Sequence, residues 1–285
     1  MDRDLKNKLV RLQELLQDYC MVAVATGRDA LMPREPGMVA VAFSGGVDST
    51  LLLRVACDTL GFENVRALHA VSCLIPEQDQ IKAAKLVTSV NGIHCPYRAV
   101  KVSPLRWQEF TANSEQRCYF CKKKIYGALQ TEMRQQGSLS VLLDGTNADD
   151  LLEHRPGLLA IQELSVGTPL AQARFNKQDI RSLARTLGLT NFNQPSNSCL
   201  ATRIPVHQKI TLSLLSRIAQ AEQFLQEKGF MGCRVTFGPD SVMVQIMDSD
   251  LDRFIAGSSH SEFIGYLEAG GLKRAVLNVK GRNTP

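Results

Sequence analysis

Residues 44–50 constrain this chain more than any other segment, because they join an apolar run to a helical pattern across a Gly-Gly pair. The apolar run, residues 38–43, is short and predicts a buried β-strand. Residues 48–59 predict the helix that follows. Where a strand ends and a helix begins, free backbone N–H groups and the positive end of the helix point at one place. The segment therefore predicts an anion-binding loop.

The residue types in this loop suit a phosphate group. Glycine lets the backbone approach an anion closely and adopt unusual dihedral angles, and hydroxyl groups add hydrogen-bond donors. The predicted phosphate-binding residues are Ser44, Gly45, Gly46, Asp48, Ser49 and Thr50. The loop lacks the Gly-Lys-Ser/Thr ending of a Walker A motif and the G-x-G-x-x-G spacing of a dinucleotide fold. The alternative is a tight Gly-Gly turn with a serine cap.

The order of the remaining patterns predicts an α/β fold with a doubly wound parallel sheet. Further strand-like runs are residues 65–71, 94–100 and 141–143, with a helical pattern at 77–90. A break near Ile204-Pro205 precedes an α+β pattern. Its parts are a helix at 212–228 and strand-like runs at 234–237, 242–247 and 275–279.

These patterns predict three parts of the chain. Residues 1–37 form an N-terminal helix and a Pro- and Gly-containing linker that begins at Thr26. Residues 38–204 form the α/β domain, and residues 205–285 form the smaller α+β domain.

A second polar segment, residues 144–150, follows the predicted strand 141–143. Ligands of open α/β sheets bind at the carboxyl ends of strands, so we expect this segment to face the same crevice as the Gly-Gly loop. Its candidate ligand-binding residues are Asp144, Asn147 and Asp149, whose oxygens suit Mg²⁺. The alternative is a turn and helix cap rich in Asp and Asn.

Three of the eight cysteines stand in patterns of their own. Cys118 and Cys121 form a C-x-x-C pair, whose thiolates lie about one helical turn apart and can share a metal. Cys199 lies in the segment Ser196 to Arg203. Three thiolates suggest an iron-sulfur cluster with one open iron, and the alternatives are zinc, a redox pair or chance. The other cysteines are expected to be core residues or reduced thiols.

The composition fits a soluble cytoplasmic protein. Of the 285 residues, 44% are hydrophobic and 21% are charged. No apolar run reaches the roughly 18 residues of a membrane span, and the leucines of residues 1–19 recur at helical spacing among charges, unlike a signal peptide. The net charge of +5 is small. The cluster Lys122 to Lys124 indicates a solvated helix face, with an RNA-binding groove as the alternative.

The segment 44–50 resembles the S-G-G-x-D-S signature of the PP-loop family, which includes GMP, NAD and asparagine synthetases and tRNA thiolases. The resemblance implies ATP binding, pyrophosphate at the loop, Mg²⁺, and an adenylated intermediate. A carboxylate oxygen is a poor leaving group and AMP is a good one. Asp48 would then hold the metal or cap the helix.

The chain resembles more closely the LarE family of ATP-dependent sulfur transferases in nickel-pincer cofactor synthesis, from the loop to residues 276–281. The motifs that carry the likeness are Asp144 to Asp150, Arg155-Pro-Gly157, Pro169-Leu170, Lys177 to Arg181, Gly188-Leu189 and Ser198 to Arg203. This family adenylates a pyridinium-3,5-dicarboxylate mononucleotide and replaces each carboxylate by a thiocarboxylate.

The resemblance implies two ways of supplying sulfur. In one branch a lone cysteine, here Cys199, gives up its sulfur and becomes dehydroalanine. In the other, three cysteines hold a 4Fe-4S cluster whose open iron carries the sulfide. Since Cys118 and Cys121 are present beside Cys199, the chain is similar to the second branch, and these three are the expected cluster ligands.

Residues near the second domain also match the family. Glu222 is implied to act in catalysis, and Arg234 and Arg203 to bind the substrate phosphate, with a salt bridge between domains as the alternative for Arg203. Thr236 and Asn278 stand where the family has an arginine and an aspartate. We expect a homo-oligomer that acts on a small mononucleotide, without membrane or nucleic acid.

Two other enzyme classes remain open at this point. A tRNA thiolase also combines a PP-loop with cluster cysteines, although the small charge excess does not favour RNA. An ammonia-dependent amidating synthetase would leave Cys118, Cys121 and Cys199 without a role. A nucleotide-binding regulatory module, a third option, would release no pyrophosphate.

Overall fold

The computed structural model describes residues 1–25, 37–89, 92–135, 140–153, 155–196, 198–238, 241–271 and 275–278. The predicted linker, apart from residue 37, and residue 279 of the predicted last strand lie outside these ranges. The chain divides into two compact units. The first contains Met1–Ser72, Glu77–Val102 and Cys118–Gln194, and the second contains Cys73–Pro76, Ser103–Arg117 and Pro195–Pro285.

The described strands follow the predicted positions closely. They are β1 (Met38–Ala42), β2 (Val65–Val71), β3 (Tyr97–Lys101), β4 (Ser140–Leu143), β5 (Arg234–Phe237), β6 (Val242–Gln245) and β7 (Ala275–Leu277). The β3 strand begins later than the predicted residue 94, because His94 takes a positive φ of 56° that no strand accommodates.

The described helices of the first half are α1 (Arg3–Ala25), α2 (Val47–Leu60), α3 (Glu77–Thr88), α4 (Gln108–Thr111) and α5 (Arg117–Gln135). Those of the second half are α6 (Ala148–Leu152), α7 (Pro156–Glu163), α8 (Pro169–Gln172), α9 (Lys177–Thr186), α10 (Leu212–Glu227), α11 (Asp248–Ala256) and α12 (Ser259–Ala269). Short 3-10 helices lie at Phe62–Asn64, Pro104–Arg106 and Leu200–Arg203.

The first unit is built on a four-stranded parallel sheet in the order β3-β2-β1-β4. Within β1, Val39 pairs with Val65 on one side and with Val141 on the other. Strands flanked on both sides and covered on both faces read as continuous apolar runs, as residues 38–43 do. The predicted α/β class with a parallel sheet is confirmed.

Separate apolar clusters cover the two faces of this sheet. On one face Val39 and Val41 pack with Leu12 and Leu16 of α1 and with buried leucines of α2. On the other face Ala40 and Leu142 pack with Leu129 and Met133 of α5. Alternate residues of β1 therefore point into different cores, and the N-terminal helix is part of the first unit.

The strand order decides where a ligand can reach this sheet. From β1 the chain runs outward to β2 and β3, then returns to β4 on the opposite side of β1. The order reverses between β1 and β4, and in open α/β sheets ligands bind in the crevice outside the carboxyl ends at such a point. The loops after β1 and after β4 flank this position.

The second unit has a three-stranded sheet in the order β5-β6-β7. The β5 and β6 strands are antiparallel, and β7 runs parallel to β6. Helix α10 packs on β5, with Leu215, Ile218 and Leu225 buried. The longest segment of this unit begins at Pro195, and the predicted break at Ile204-Pro205 lies within that segment. Among the described helices, none has the length and hydropathy needed to cross a bilayer.

Candidate functional site

The loop after β1 is shaped by Gly45. Its φ is +78°, a left-handed conformation that favours glycine. A Cβ added here would lie 2.4 Å from the Cβ of Ala83 and 3.0 Å from its Cα, so α3 packs directly on the loop. Gly46 differs, because its φ of −71° is ordinary and an added Cβ would meet only Ser44 Oγ, at 3.4 Å. Gly45 thus serves the fold, whereas the space beside Gly46 is open to a ligand.

All three predicted hydroxyl residues make hydrogen bonds within the loop. Ser44 Oγ lies 3.1 Å from Ser49 Oγ and accepts from the backbone N–H of Gly46 at 3.3 Å. Ser49 Oγ accepts from the backbone N–H of Ser44 at 3.2 Å and donates to the Gly46 carbonyl at 3.1 Å. Thr50 Oγ1 donates to the same carbonyl at 2.8 Å. Both residues are buried, and Ser44 is exposed. Of the three hydroxyl residues, Ser44 therefore faces solvent at the mouth of the loop.

Asn191, which the sequence patterns did not single out, forms hydrogen bonds with the loop and with the start of α2. Its Nδ2 donates to the Gly45 carbonyl at 3.1 Å and to Thr50 Oγ1 at 2.9 Å. The side chain is buried. Asn191 lies 141 positions after Thr50 in the chain, and no local motif marks it.

The loop after β4 lies against the start of α2. A Cβ on Gly145 would be 2.9 Å from the backbone nitrogen of Ser49 and 3.2 Å from the carbonyl carbon of Asp48, so this close approach requires glycine. The contact brings Asn147 Nδ2 within 3.2 Å of Asp48 Oδ2. The two loops that the sequence placed at one crevice are thus joined by a direct hydrogen bond.

The surroundings of Asp48 disfavour the charged form of its carboxyl group. Burial, reinforced by the nearby Asp150 carboxylate, raises the pKa of Asp48 to about 6, although the hydrogen bond from Asn147 acts in the opposite direction. Asp150 is itself buried and pairs with Arg155 at 2.9 Å. Asp48 and Asp150 are thus neighbouring acids near the Gly-Gly loop, and carboxylate oxygens are the ligands that a hard divalent cation prefers.

The other predicted acidic residues support local structure. Asp144 accepts hydrogen bonds from the Tyr126 hydroxyl and from the backbone and hydroxyl of Thr146. Asp149 Oδ2 accepts from the backbone N–H of Lys177 at 2.8 Å, at the start of α9. Asp150 was not among the predicted binding residues, but its charge is the one that contributes to the raised pKa of Asp48. In the sequence, Asp150 was part of the polar segment 144–150 that was expected to face the crevice, but it was not singled out there.

Asn147 has two structural roles. It is fully buried and caps α6 in a reciprocal capping box with Asp150, with the two hydrogen bonds at 3.1 and 3.2 Å. Its Nδ2 is left to reach Asp48. This segment is therefore a helix cap, as the alternative interpretation predicted, and it also contacts the helix that follows the Gly-Gly loop.

Cys118 and Cys121 lie in the first turns of α5, three positions apart on one face. Cys118 is exposed and Cys121 is half-buried. An added Cβ on Gly157 would lie 3.1 Å from Lys122 Cδ and 3.8 Å from the Cys118 carbonyl, so the segment Arg155-Pro-Gly157 packs against this turn. The position of both thiols on one helical face fits two ligands of one metal centre.

Cys199 belongs to the second unit, and the other two cysteines belong to the first. None of the eight cysteines forms a disulfide. Within the described ranges, no group of three or more His, Cys, Asp or Glu side chains is assembled for a metal ion. The shared three-thiol site stays a prediction. Of the five cysteines expected in the core, Cys57, Cys95 and Cys233 are buried, whereas Cys20 and Cys73 are only half-buried.

In the second unit, Arg203 and Glu222 are bonded to each other. Arg203 Nε lies 2.9 Å from Glu222 Oε1, with 2% and 5% of the two residues exposed. The salt bridge considered for Arg203 is present, within one unit rather than between domains. Arg234 is half-buried at the start of β5, opposite Gln245. Its predicted phosphate contact stays a prediction.

Comparison with known proteins found no matching family model. Among curated proteins, the chain is 32% identical to the pyridinium-3,5-bisthiocarboxylic acid mononucleotide synthase of Lactiplantibacillus plantarum over 263 residues, 92% of this chain and 93% of the relative. It is 32% identical to an uncharacterized protein of Synechocystis over 85% of this chain and 88% of the relative. It is 29% identical to an uncharacterized protein of Methanocaldococcus jannaschii over 85% of this chain and 89% of the relative.

Proposed function

Because this chain belongs to the LarE family of pyridinium-3,5-bisthiocarboxylic acid mononucleotide synthases, we propose that it is an ATP-dependent sulfur transferase. Its substrate would be a pyridinium dicarboxylate mononucleotide, and its product the corresponding thiocarboxylate. The observation that carries this proposal is the likeness, over 92% of this chain, to the Lactiplantibacillus plantarum synthase. The loop geometry of the first unit supports the nucleotide half of the reaction.

The first half-reaction is adenylation in the first unit. A carboxylate oxygen of the substrate attacks the α-phosphorus of ATP, the bond from that phosphorus to the β-phosphate oxygen breaks, and pyrophosphate leaves. Backbone N–H groups of Gly45 and Gly46 and the N-terminus of α2 would bind the departing pyrophosphate. Asp48 and Asp150 would hold Mg²⁺, which offsets the charge that develops on the phosphates.

The residues present fit these two groups. Gly46 leaves open space at the end of a helix, as a bound phosphate requires. Burial and, after it, the charge of the Asp150 carboxylate raise the pKa of Asp48 to about 6, and a divalent cation would offset the repulsion between the two charges. Arg155, now paired with Asp150, and Lys177, which also acts on Asp48, supply positive charge nearby.

The second half-reaction transfers sulfur to the adenylated carboxyl. A sulfur nucleophile attacks the acyl carbon, AMP leaves, and a carbon–sulfur bond replaces the carbon–oxygen bond. We propose that Cys118, Cys121 and Cys199 hold a 4Fe-4S cluster. When bound, such a cluster has one iron without a protein thiolate, which can carry the sulfide to be delivered. Cys118 and Cys121 fit as a pair on α5.

The adenylation step is tested by pyrophosphate release from ATP with the mononucleotide substrate. Gly46→Val should abolish release while the protein stays folded, because a branched side chain fills the space beside the loop. The matched control is Gly265→Val in α12, where an added Cβ meets nothing within 4 Å. Normal pyrophosphate release by the Gly46→Val protein would show that the loop does not bind the phosphates of ATP. Release that depends on bulk tRNA instead of the mononucleotide would indicate a tRNA thiolase.

The sulfur source is tested on anaerobically purified protein. Iron and sulfide analysis should find one cluster per chain, and replacement of Cys118, Cys121 or Cys199 by Ala should remove it together with sulfur transfer, while pyrophosphate release largely survives. The alternative gives a different result. An iron-free protein that carries dehydroalanine at position 199 after one turnover, detected by mass spectrometry, would replace the cluster by a sacrificial cysteine.

A further inference from the structure

The turn that carries Cys199 is held by one buried side chain. Arg203 Nη1 donates to the Ser198 carbonyl at 2.6 Å and to Ser198 Oγ at 2.7 Å. It also lies 3.1 Å from the Cys199 carbonyl and 3.0 Å from Thr202 Oγ1. Because these acceptors stand on both sides of the thiol-bearing residue, the guanidinium fixes the backbone from which the Cys199 side chain projects.

Glu222 holds the opposite edge of the same guanidinium. Its Oε1 accepts from Arg203 Nε at 2.9 Å and its Oε2 from Nη2 at 3.3 Å. Oε1 also accepts from the backbone N–H of Val235 in β5 at 3.0 Å. A carboxylate on α10 and the sheet of the second unit thus anchor the arginine. Both carboxylate oxygens are occupied within the protein, and the residue is buried.

We propose that Arg203 and Glu222 are positioning residues for Cys199, rather than groups that act on the substrate. This proposal rests on the proposed function, in which the Cys199 thiolate takes part in sulfur delivery. The planar guanidinium spans two sets of partners at once, which a lysine ammonium cannot do. Removal of either partner releases the turn and leaves the thiol chemically intact but misplaced.

The first test measures the thiol directly, without ATP or substrate. Arg203→Lys should change the rate at which iodoacetamide alkylates Cys199, read by peptide mass spectrometry, towards faster reaction because the half-buried thiol becomes accessible. Cys233, buried in the same unit, serves as the internal reference and should stay protected if the unit remains folded. Unchanged alkylation of Cys199 would overturn the proposal, whatever the protein catalyses.

The second test separates positioning from catalysis. In Arg203→Lys, sulfur transfer should fall by about 100-fold, the size expected for a misplaced reacting group, while KM for the mononucleotide and pyrophosphate release stay as in the wild type. In Glu222→Gln, the rate should fall at every pH without a change in the shape of the pH profile. Loss of one limb of that profile would make Glu222 a general base and overturn the proposal.

Two further variants guard against misfolding. Ser198→Ala removes one acceptor of Arg203 without leaving a buried charge, so it should fold and still lose several-fold in sulfur transfer. Arg253→Lys is the matched control, since Arg253 in the same unit donates to the Gly229 carbonyl at 3.0 Å and pairs with Asp250 on the surface. It should keep wild-type rates. If Ser198→Ala also kept them, the turn would not need this support. A wild-type protein with no sulfur transfer would instead count against the proposed function.

Discussion

Replacement of Gly45 by Ala should destabilise the first unit in two separable ways. A left-handed φ of +78° costs an alanine about 1–2 kcal/mol. The new Cβ would also stand 2.4 Å from the Cβ of Ala83, a contact that must be relieved by moving α3 or the loop. Overpacking of this kind costs about 1–3 kcal/mol. We therefore expect the free energy of unfolding to fall by about 2–5 kcal/mol.

Two other glycines of the same unit serve as controls. Gly188 has a φ of +71° with nothing within 4 Å of an added Cβ, so Gly188→Ala should show the backbone cost alone, about 1–2 kcal/mol. Gly46 has an ordinary φ and only Ser44 Oγ nearby at 3.4 Å, so Gly46→Ala should stay within about 0.5 kcal/mol of the wild type.

Urea unfolding of the four proteins, followed by circular dichroism, measures these differences. The expected order of stability is wild type and Gly46→Ala first, then Gly188→Ala, then Gly45→Ala. If Gly45→Ala and Gly188→Ala had the same midpoint, the loop would not be packed on α3 and the reasoning would fail. Pyrophosphate release should show another order, in which Gly46→Ala is impaired despite its stability.

Asp48→Asn should stabilise the ATP-free protein at pH 8 by about 1–2 kcal/mol, below the roughly 3 kcal/mol that a pKa raised from 3.8 to about 6 implies, because the side chain keeps some contact with solvent. A buried acid with a raised pKa contributes stability that is complete below 3.8 and is lost as pH rises through about 6. The advantage of the amide in thermal unfolding should therefore fade towards pH 4, and an advantage independent of pH would contradict this origin. Tyr126→Phe should cost about 1.5–3 kcal/mol, because it removes a hydrogen bond to the buried Asp144 carboxylate. Burial raises the pKa of Tyr126 well above its ordinary value, so this loss should be the same from pH 6 to 9, whereas Tyr119→Phe at the surface should cost less than about 0.5 kcal/mol in the same denaturation series.

The described contacts separate residues that the family resemblance had grouped together. The likeness to the Lactiplantibacillus plantarum synthase extends over 92% of the chain and so includes residues of both units. In the described structure, Asp48 is a buried acid whose pKa is raised by burial and by the charge of Asp150. Arg203 and Glu222 are buried, bonded to each other, and hold the turn that carries Cys199. Sequence resemblance alone had grouped all four with ligand-binding or catalytic segments.

Local patterns in the sequence determined the parallel sheet and the position of the Gly-Gly loop at the carboxyl end of β1. An apolar run of about five residues, a Gly-Gly pair and a helical pattern follow one another at residues 38–59, and each is recognised from neighbours within a few positions. The strand at 65–71 and the strand at 234–237 were predicted to the residue. The C-x-x-C spacing likewise needed only one helical turn.

Only the tertiary structure decided which polar side chains face each other. Asn191 fastens Thr50 from 141 positions away, and Asn147 reaches Asp48 from 99 positions away. Arg203 meets Glu222 because α10 packs on β5 beside the turn of Cys199. Such partners are set by the packing of distant elements, so a carboxylate on the surface and one buried against an arginine have the same letter in the sequence. The environment, which fixes whether that carboxylate binds a cation or holds a turn, exists only once the chain has folded.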